Sequence, residues 1–282
     1  MPSPSPSSKI TLYRGFPDQG QFTWSPFVTK LEARLRFAGL SYENRAGSIR
    51  EAPRGKIPYL AIRKKPSPSP SRGVSSDDND NDDDVHVLAD STLIIKRLIE
   101  WGVLPDLNAR LAPTERAQDL GLRALLEEKF YFYSSRERWT QNYYTMRDHV
   151  LASVPYPLRV VVGLLVYRNI THTLHGQGTG RYTDDEIASF QREIWDCISQ
   201  VLSAAKAKAA KNTTSDKNDE PFWLLAGDEP TEADATLFGF IISTLVCTAG
   251  PQSQRLLKEY PVILEYASRI QERYFPDYVK LG

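Results

Sequence analysis

Apolar residues recur with two different periods along the chain. Up to about residue 100, short apolar runs of strand length alternate with stretches of helical period. These runs predict strands at 10–13, 41–45, 58–62 and 85–88, and helices at 26–38 and 91–101, each followed at once by a glycine. The resulting order, βαβ and then ββα, is typical of a thioredoxin-like α/β domain.

From Pro113 onward the apolar period is helical almost throughout. Thr183 and Thr231 are each followed three residues later by an acidic residue, the pattern of a helix N-terminus. The sequence therefore predicts a second, all-helical domain. Its helices are expected at 114–138, at 157–174, from Thr183, from Thr231, near 252–259 and at 261–273.

Three stretches are too polar to form a packed core. They cover residues 1–8, 64–84 and 206–220, and we predict that they are disordered or flexible. The middle stretch joins the third and fourth predicted strands, so it is expected at the tip of a hairpin. The predicted domains are then 9–104, thioredoxin-like with the insert 64–84, and 113–282, helical with the insert 206–220.

Charge and composition restrict the possible partners. Lys and Arg number 35, and Asp and Glu also number 35, so no global field favours nucleic acid. No secretory or transit signal is evident at the N-terminus. The longest apolar run, 158–166, is about half of what a bilayer span requires. We expect a cytoplasmic protein that has no transmembrane anchor and does not bind nucleic acid.

Cysteine and histidine usage favours neither redox nor metal chemistry. Cys197 and Cys247 lie in strongly helical patterns and form no CxxC motif, so we predict two buried thiols. The Asp/Asn run within 64–84 lacks the glycine and the closing glutamate of a calcium loop. No metal site is predicted, because the histidines have no suitable partners. They are His86, His149, His172 and His175.

Four motifs, in chain order, resemble the glutathione transferase superfamily. Trp24-Ser25-Pro26-Phe27 resembles the family's active-site helix start, and Gly55 to Leu60 (GKIPYL) resembles the loop with its cis-proline. Ala89-Asp90-Ser91 resembles the pair that binds the γ-glutamyl group, and Thr231 to Asp234 resembles the buried capping box of the helical domain. Together they cover nearly the whole chain. The resemblance implies the same two-domain fold and implies glutathione as co-substrate.

The resemblance implies that Ser25 stabilises the glutathione thiolate. A hydroxyl at the start of a helix can donate to a charged sulfur, and the helix dipole also favours the anion. Two alternatives stay open. Ser25 is also a good plain N-cap for the helix that starts at Pro26, and Tyr13, at the end of the first strand, offers a rival hydroxyl.

The other implied glutathione contacts come from two places in the chain. A cis bond before Pro58 would turn the backbone of Ile57 outward to pair with the cysteinyl part of the tripeptide. Lys56 would meet a ligand carboxylate, or else be a solvated surface lysine. Asp90 and Ser91, at a helix N-terminus, would bind the γ-glutamyl group, or else simply cap the helix.

An aromatic-rich stretch suggests where an acceptor substrate would bind. Trp24, Tyr131, Arg138 and Trp139 are candidates for the wall of a pocket for a small hydrophobic electrophile. Core packing is the alternative role for part of this stretch.

Two functions from different classes follow from the resemblance. The first is a glutathione transferase-like enzyme that conjugates glutathione or uses it in a lyase or isomerase step, and that forms a homodimer. The second is a non-catalytic adaptor or scaffold. It is suggested by Tyr167 to Asn169, Gly176 to Arg181 and Thr183 to Ile187, which resemble the failed-axon-connections and metaxin-like branch. The three glycines of Gly176 to Arg181 do not have the spacing of a dinucleotide-binding motif and are expected to link two helices.

Overall fold

The structure is a computed structural model that describes residues 9–63, 85–212 and 220–281. The predicted disordered stretches 1–8 and 64–84 and residues 213–219 of the predicted flexible stretch 206–220 lie outside these ranges. The contacts between residues divide the chain into two compact units. The first comprises Met1–Gln21 and Leu31–Asp106, and the second comprises Phe22–Lys30 and Leu107–Gly282. The domain limits predicted from the sequence stay a prediction.

The first unit contains a four-stranded mixed sheet with the strand order β2-β1-β3-β4. Strand β1 pairs in parallel with β2 and antiparallel with β3, and β3 pairs antiparallel with β4. This is the predicted thioredoxin-like arrangement, so the fold class is confirmed. The elements are β1 (Lys9–Tyr13), α1 (Pro26–Phe37), β2 (Glu43–Arg45), β3 (Tyr59–Arg63), β4 (Val85–Ala89) and α2 (Ser91–Glu100).

Side chains that alternate along the strands give the sheet two different faces. Leu12 of β1 and Leu60 of β3 point to one face and are fully buried. They pack there against Leu31 and Leu35 of α1 and against α2. The burial of these apolar side chains is the main favourable term in the stability of this unit.

The second unit is all-helical, as predicted. Its first helical stretch, 113–141, is continuous but contains two π-helical segments, at 125–130 and 137–141. The helices are α3 (Pro113–Ala124), α4 (Tyr131–Arg136), α5 (Tyr143–Val150), α6 (Tyr156–Gln177), α7 (Asp184–Asn212), α8 (Glu232–Val246), α9 (Pro251–Leu257) and α10 (Pro261–Tyr274). No helix in the described ranges combines the length and hydropathy that a bilayer span requires.

Two helical features were not predicted from the sequence. Helix α5 has few strongly apolar residues, and its first turn consists of tyrosines and a threonine, so its period is weak. Helix α7 continues to Asn212, and residues 206–212 of the predicted flexible insert are therefore helical. The alternation of alanine and lysine in this part explains the extension, because both are strong helix formers.

Helix α8 is the central helix of the second unit, and its residues from Glu232 to Thr244 are all buried. The predicted capping box at its start is confirmed. Both carboxylate oxygens of Asp234 accept hydrogen bonds, from Thr231 N, Thr231 Oγ1, Leu224 N and Tyr266 Oη, at 2.8 to 2.9 Å. Burial raises the pKa of the Asp234 carboxyl. Asp234 thereby pairs the backbone N–H of the N-cap residue Thr231 and that of Leu224, in the segment before the helix.

Candidate functional site

Two sequence motifs meet at one end of the sheet in the first unit. In the register of β3 and β4, Tyr59 lies opposite Ala89, so Pro58 and Asp90 flank the same end of this strand pair. The peptide bond between Ile57 and Pro58 is cis, as the resemblance implies. The structure therefore brings together four of the predicted glutathione-binding residues, Ile57, Pro58, Asp90 and Ser91.

Asp90 is the N-cap of helix α2. Its Oδ1 atom accepts hydrogen bonds from the backbone N–H groups of Thr92 and Leu93, at 3.1 and 3.2 Å. Its φ of 74° lies in the left-handed region, which is unusual for a residue with a side chain and which clusters at functional sites. Ser91, the first residue of the helix, is buried with 4% of its surface exposed. Asp90 thus caps helix α2. Capping was one of the two alternative roles predicted for Asp90, beside binding of the γ-glutamyl group.

Ile57 and Lys56 lie in the loop that leads into β3. The absence of a side chain at Gly15 leaves room for the side chain of Ile57, because a Cβ atom at Gly15 would lie only 2.6 Å from Ile57 Cδ1. Gly15 also has a φ of 86°, which a residue with a side chain rarely adopts. Lys56 is exposed. The side chain of Ile57 therefore packs directly over Gly15.

Tyr13, the rival to Ser25, packs on the second face of the sheet. Its ring stacks on that of Tyr59 with a centroid separation of 4.3 Å and an interplanar angle of 8°. Tyr59 and Tyr13 belong to a small apolar cluster with Ala52 and Ala89, whereas α1 and α2 pack on the other face. The side chain of Tyr13 also interacts with that of Arg45. Tyr13 is therefore partly buried and packs, as Ile57 does, on the side of the sheet opposite α2.

The segment that carries Ser25 belongs to the second unit. The carbonyl oxygen of Trp24 accepts hydrogen bonds from Arg138 Nη1 at 3.1 Å and from Ser243 Oγ at 2.6 Å. Ser25 itself is partly buried, and its N–H lies 3.4 Å from Thr23 Oγ1. Two side chains of the helical unit thus fix the backbone immediately before Ser25.

The first turn of α1 packs closely on helix α8. A Cβ atom at Gly239 would lie 2.4 Å from the carbonyl oxygen of Pro26 and 2.9 Å from Lys30 N, so only glycine fits there. One turn further on, Lys30 Nζ forms an ion pair with Glu127 Oε1 at 2.6 Å, and Lys30 is almost fully buried. The start of α1 is therefore positioned by backbone contact and by a buried charge pair.

Trp24, Tyr131 and Arg138 of the predicted acceptor pocket lie in or beside the same segment. The Trp24 ring stacks on His149 at 3.5 Å, and Phe27 contacts Tyr131 with ring centroids 5.2 Å apart. Arg138 and Trp139 are buried, at 8% and 7% exposed. The guanidinium of Arg138 contacts Trp24 and Ser243, so its observed role is to fix the chain before Ser25.

Sequence reasoning missed His149, Ser243 and Gly239 as neighbours of this segment. His149 lies in the unpredicted helix α5, and Ser243 and Gly239 lie within the apolar run of α8. A small or polar residue inside an otherwise apolar buried helix indicates that another segment approaches the helix closely. Helix α8 has such a residue at both Gly239 and Ser243. No comparable signal marks His149.

The two cysteines differ from each other. Cys247 is buried, and burial raises the pKa of its thiol. Cys197 is exposed, which corrects the prediction of two buried thiols. The buried face of α7 contains Ile194, Ile198 and Leu202. Cys197 precedes Ile198 in the sequence, so it lies on a different side of the helix. Within the described ranges, no three potential ligands cluster to hold a metal ion.

Comparison with known proteins identifies the family. The model of the glutathione S-transferase N-terminal domain matches residues 26–146, and that of the C-terminal domain matches residues 219–270. The chain is 28% identical over 278 residues to the isoprene-epoxide–glutathione S-transferase of Rhodococcus sp. (strain AD45), a match that covers 94% of this chain and 99% of that protein.

Two further similarities agree with this match. The chain is 24% identical over 277 residues to Failed axon connections of Drosophila melanogaster; the match covers 90% of this chain but only 55% of that protein. A solved glutathione S-transferase from Rhodospirillum rubrum F11 has the same fold, with a TM-score of 0.51 and 16% identity, covering 96% of this chain and 93% of that one. The fold, the buried capping box and the two domain models together show that the chain belongs to the glutathione S-transferase family.

Proposed function

We propose that this protein binds glutathione and activates its thiol, as a glutathione transferase-type enzyme. The observation that carries the proposal is the convergence of Ile57, Pro58, Asp90 and Ser91 at one end of the β3–β4 pair, beside the N-terminus of α2. Membership of the glutathione S-transferase family supports the choice of ligand.

The N-terminus of α2 suits the γ-glutamyl end of glutathione. Backbone N–H groups and the helix dipole favour a carboxylate there, and the hydroxyl of Ser91 supplies a further donor. Asp90 uses Oδ1 for capping, and its carboxylate charge attracts the ligand's ammonium group. Capping and ligand binding are therefore compatible roles for Asp90, and we propose both.

The loop before β3 supplies the contacts proposed for the rest of the tripeptide. The backbone N–H and C=O of Ile57 pair with the cysteinyl residue in the manner of a β-strand. Lys56, which is exposed, meets the glycyl carboxylate. Family membership is the support for both assignments.

We assign the thiolate-stabilising hydroxyl to Ser25. A free thiol has a pKa of about 8.5, and lowering it by about two units takes about 2.7 kcal/mol. A helix N-terminus contributes about 0.3–1 kcal/mol and up to about 2 kcal/mol in a partly buried site. A hydrogen bond to a charged group contributes about 1.5–3 kcal/mol, so the two terms suffice. Tyr13 is a weaker choice because it ends strand β1 and has no helix N-terminus beside it in the sequence to stabilise the anion.

The acceptor that we propose is a small hydrophobic electrophile. Trp24 and Tyr131 present aromatic surface beside the start of α1, and the buried Trp139 is a further candidate for the pocket wall. Arg138 acts by fixing the Trp24 carbonyl. Because the relative from Rhodococcus is named for conjugation to an epoxide, conjugation is favoured over a lyase or isomerase step.

Substitution of Ser25 tests this assignment. A Ser25→Ala variant is expected to bind glutathione with nearly unchanged affinity but to raise the pKa of the bound thiol by about one to two units. The ultraviolet absorbance of the thiolate, titrated against pH, measures this shift. Ser268→Ala, which changes an exposed serine on α10, is the matched control. Equal thiolate titrations for wild type and Ser25→Ala would remove Ser25 from the mechanism.

A non-catalytic adaptor is the second candidate. It is favoured by the similarity to Failed axon connections, which extends over 90% of this chain. The two candidates differ in one simple property, because an adaptor does not need to ionise a bound thiol. Glutathione binding without any shift of the thiol pKa, or no binding at all, would favour the adaptor. A homodimer, which we also propose, is tested by light scattering.

A further inference from the structure

The indole ring of Trp24 is covered on one face by an imidazole ring. Trp24 and His149 are both half-buried, and their rings stack with centroids 3.5 Å apart and an interplanar angle of 14°. This separation is the contact distance of carbon atoms, so the two rings lie almost directly over each other. The imidazole therefore blocks one of the two faces of the indole, and the indole cannot move in that direction.

Helix α5, which contains His149 near its end, is attached closely to α6. A Cβ atom at Gly163 of α6 would lie 2.7 Å from side-chain atoms of α5, so the two helices are in direct contact there. Arg159 of α6 donates hydrogen bonds to two carbonyl oxygens of the turn that follows α5, at 2.9 and 3.0 Å. The backbone on both sides of His149 is therefore held in place, and the imidazole is a fixed support for the indole.

The backbone of Trp24 is fixed independently of its ring. Its carbonyl oxygen accepts the hydrogen bonds from Arg138 and Ser243 that are described above. Trp24 also directly precedes Ser25, to which we assign the thiolate-stabilising hydroxyl. A large ring thus stands next to the proposed sulfur site, with its backbone held by two side chains and one of its faces held by His149.

The stack limits how far the indole can adapt to a bound acceptor. A half-exposed side chain changes rotamer readily unless a neighbour prevents it. An aromatic pair of this kind favours one orientation of the ring by about fivefold. An acceptor that is too large for the space beside Trp24 would have to displace the indole and break the stack. Small acceptors would leave the stack intact.

We propose that His149 is a specificity-determining residue, which holds the Trp24 indole and so restricts the acceptor pocket to small electrophiles. The inference rests on the proposed function, because it concerns the acceptor that glutathione would be conjugated to. His149 acts through Trp24 and is a positioning residue that transfers no proton. Glutathione affinity and the pKa of the bound thiol should therefore not depend on it.

Two isothiocyanates of different size test the proposal. The glutathione thiolate adds to the central carbon of an isothiocyanate and the nitrogen takes up a proton, so that no group leaves. We expect wild type to prefer benzyl isothiocyanate to the bulkier naphthylmethyl isothiocyanate. The ratio of the two kcat/KM values should fall about fivefold in His149→Ala, with KM for glutathione unchanged. Any loss of active protein lowers both values equally and cancels from the ratio.

Three further variants separate stacking from other effects. His149→Phe keeps a ring over the indole and should restore the wild-type ratio. His172→Ala, which changes an exposed histidine on α6, is the matched control and should behave as wild type. Near-ultraviolet circular dichroism detects aromatic rings that are held in one orientation. His149→Ala should weaken the same bands that Trp24→Phe removes, and this measurement needs neither glutathione nor an acceptor.

Several results would overturn the proposal. One is a wild type that does not prefer the smaller acceptor, and another is an equal ratio in wild type and His149→Ala. A His149→Phe variant with the ratio of His149→Ala would show that stacking is not the cause. Unchanged near-ultraviolet bands in His149→Ala would show that His149 does not hold the indole. No conjugation of either isothiocyanate by wild type is a different result, which would overturn the proposed function and this inference with it.

Discussion

The close contact between Gly239 of α8 and the first turn of α1 leads to a specific prediction. In a Gly239→Ala variant the new Cβ atom would lie 2.4 Å from the Pro26 carbonyl oxygen and 2.9 Å from Lys30 N. Both atoms belong to the backbone, so no flexible side chain can move aside. The variant can fold only if the first turn of α1 and helix α8 move apart.

The size of the effect follows from two opposing terms. Overpacking of a buried contact costs about 1–3 kcal/mol, and the contact with backbone atoms favours the upper part of that range. Alanine in place of glycine within a helix recovers about 0.8–1 kcal/mol. We therefore expect Gly239→Ala to lower the free energy of unfolding by about 1–2 kcal/mol.

A second helical glycine provides the control. Gly121 on α3 is exposed, and a Cβ atom there would meet nothing within 4 Å. Gly121→Ala should therefore stabilise the protein by about 0.5–1 kcal/mol through helix propensity alone. Urea denaturation followed by circular dichroism measures both variants. If Gly239→Ala is as stable as Gly121→Ala, the close packing of α8 against the start of α1 is wrong.

Two further predictions concern single titratable side chains. A thiol reagent should modify Cys197 rapidly in the native protein and reach Cys247 only after unfolding, because Cys197 is exposed and Cys247 is buried; two equally fast thiols would contradict this. Burial, together with a hydrogen bond to Asp196, raises the pKa of Tyr260 to about 12, so the unfolded chain loses this proton first as the pH rises above about 10. The contribution of Tyr260 to the free energy of unfolding is therefore complete below about pH 10. About 1.4 kcal/mol of this contribution should be lost by about pH 11. Denaturation at about pH 9 and about pH 11 should show that Tyr260→Phe loses less unfolding free energy between these pH values than wild type does. Equal losses would refute the raised pKa of Tyr260.

The fold could be predicted from the sequence because local and tertiary signals agree. Strands β1, β3 and β4 have β-branched or aromatic residues. Helices α1 and α8 begin at recognisable start signals, Pro26 and Thr231. Helix α5 was missed because its stability comes from packing, shown by the contact of Gly163 with Tyr143 and Arg147, rather than from an apolar period of its own.

The candidate site could be predicted only in part. Ile57, Pro58, Asp90 and Ser91 were found because each lies next to a turn or a helix start with a recognisable motif. The contacts of Arg138 and Ser243 with the Trp24 carbonyl join residues more than 100 positions apart. No local pattern encodes such a contact, because it depends on how the helices of the second unit pack.

Glutathione binding by isothermal titration calorimetry tests the central claim most directly. The comparison is between wild type and Ser91→Ala, with Ser268→Ala, an exposed serine on helix α10, as the control. We expect saturable binding by wild type and by the control. Ser91→Ala should bind about tenfold more weakly or worse, because it loses a hydrogen bond to a charged group. No heat of binding to wild type at millimolar glutathione, or equal affinity in Ser91→Ala, would contradict the proposed site.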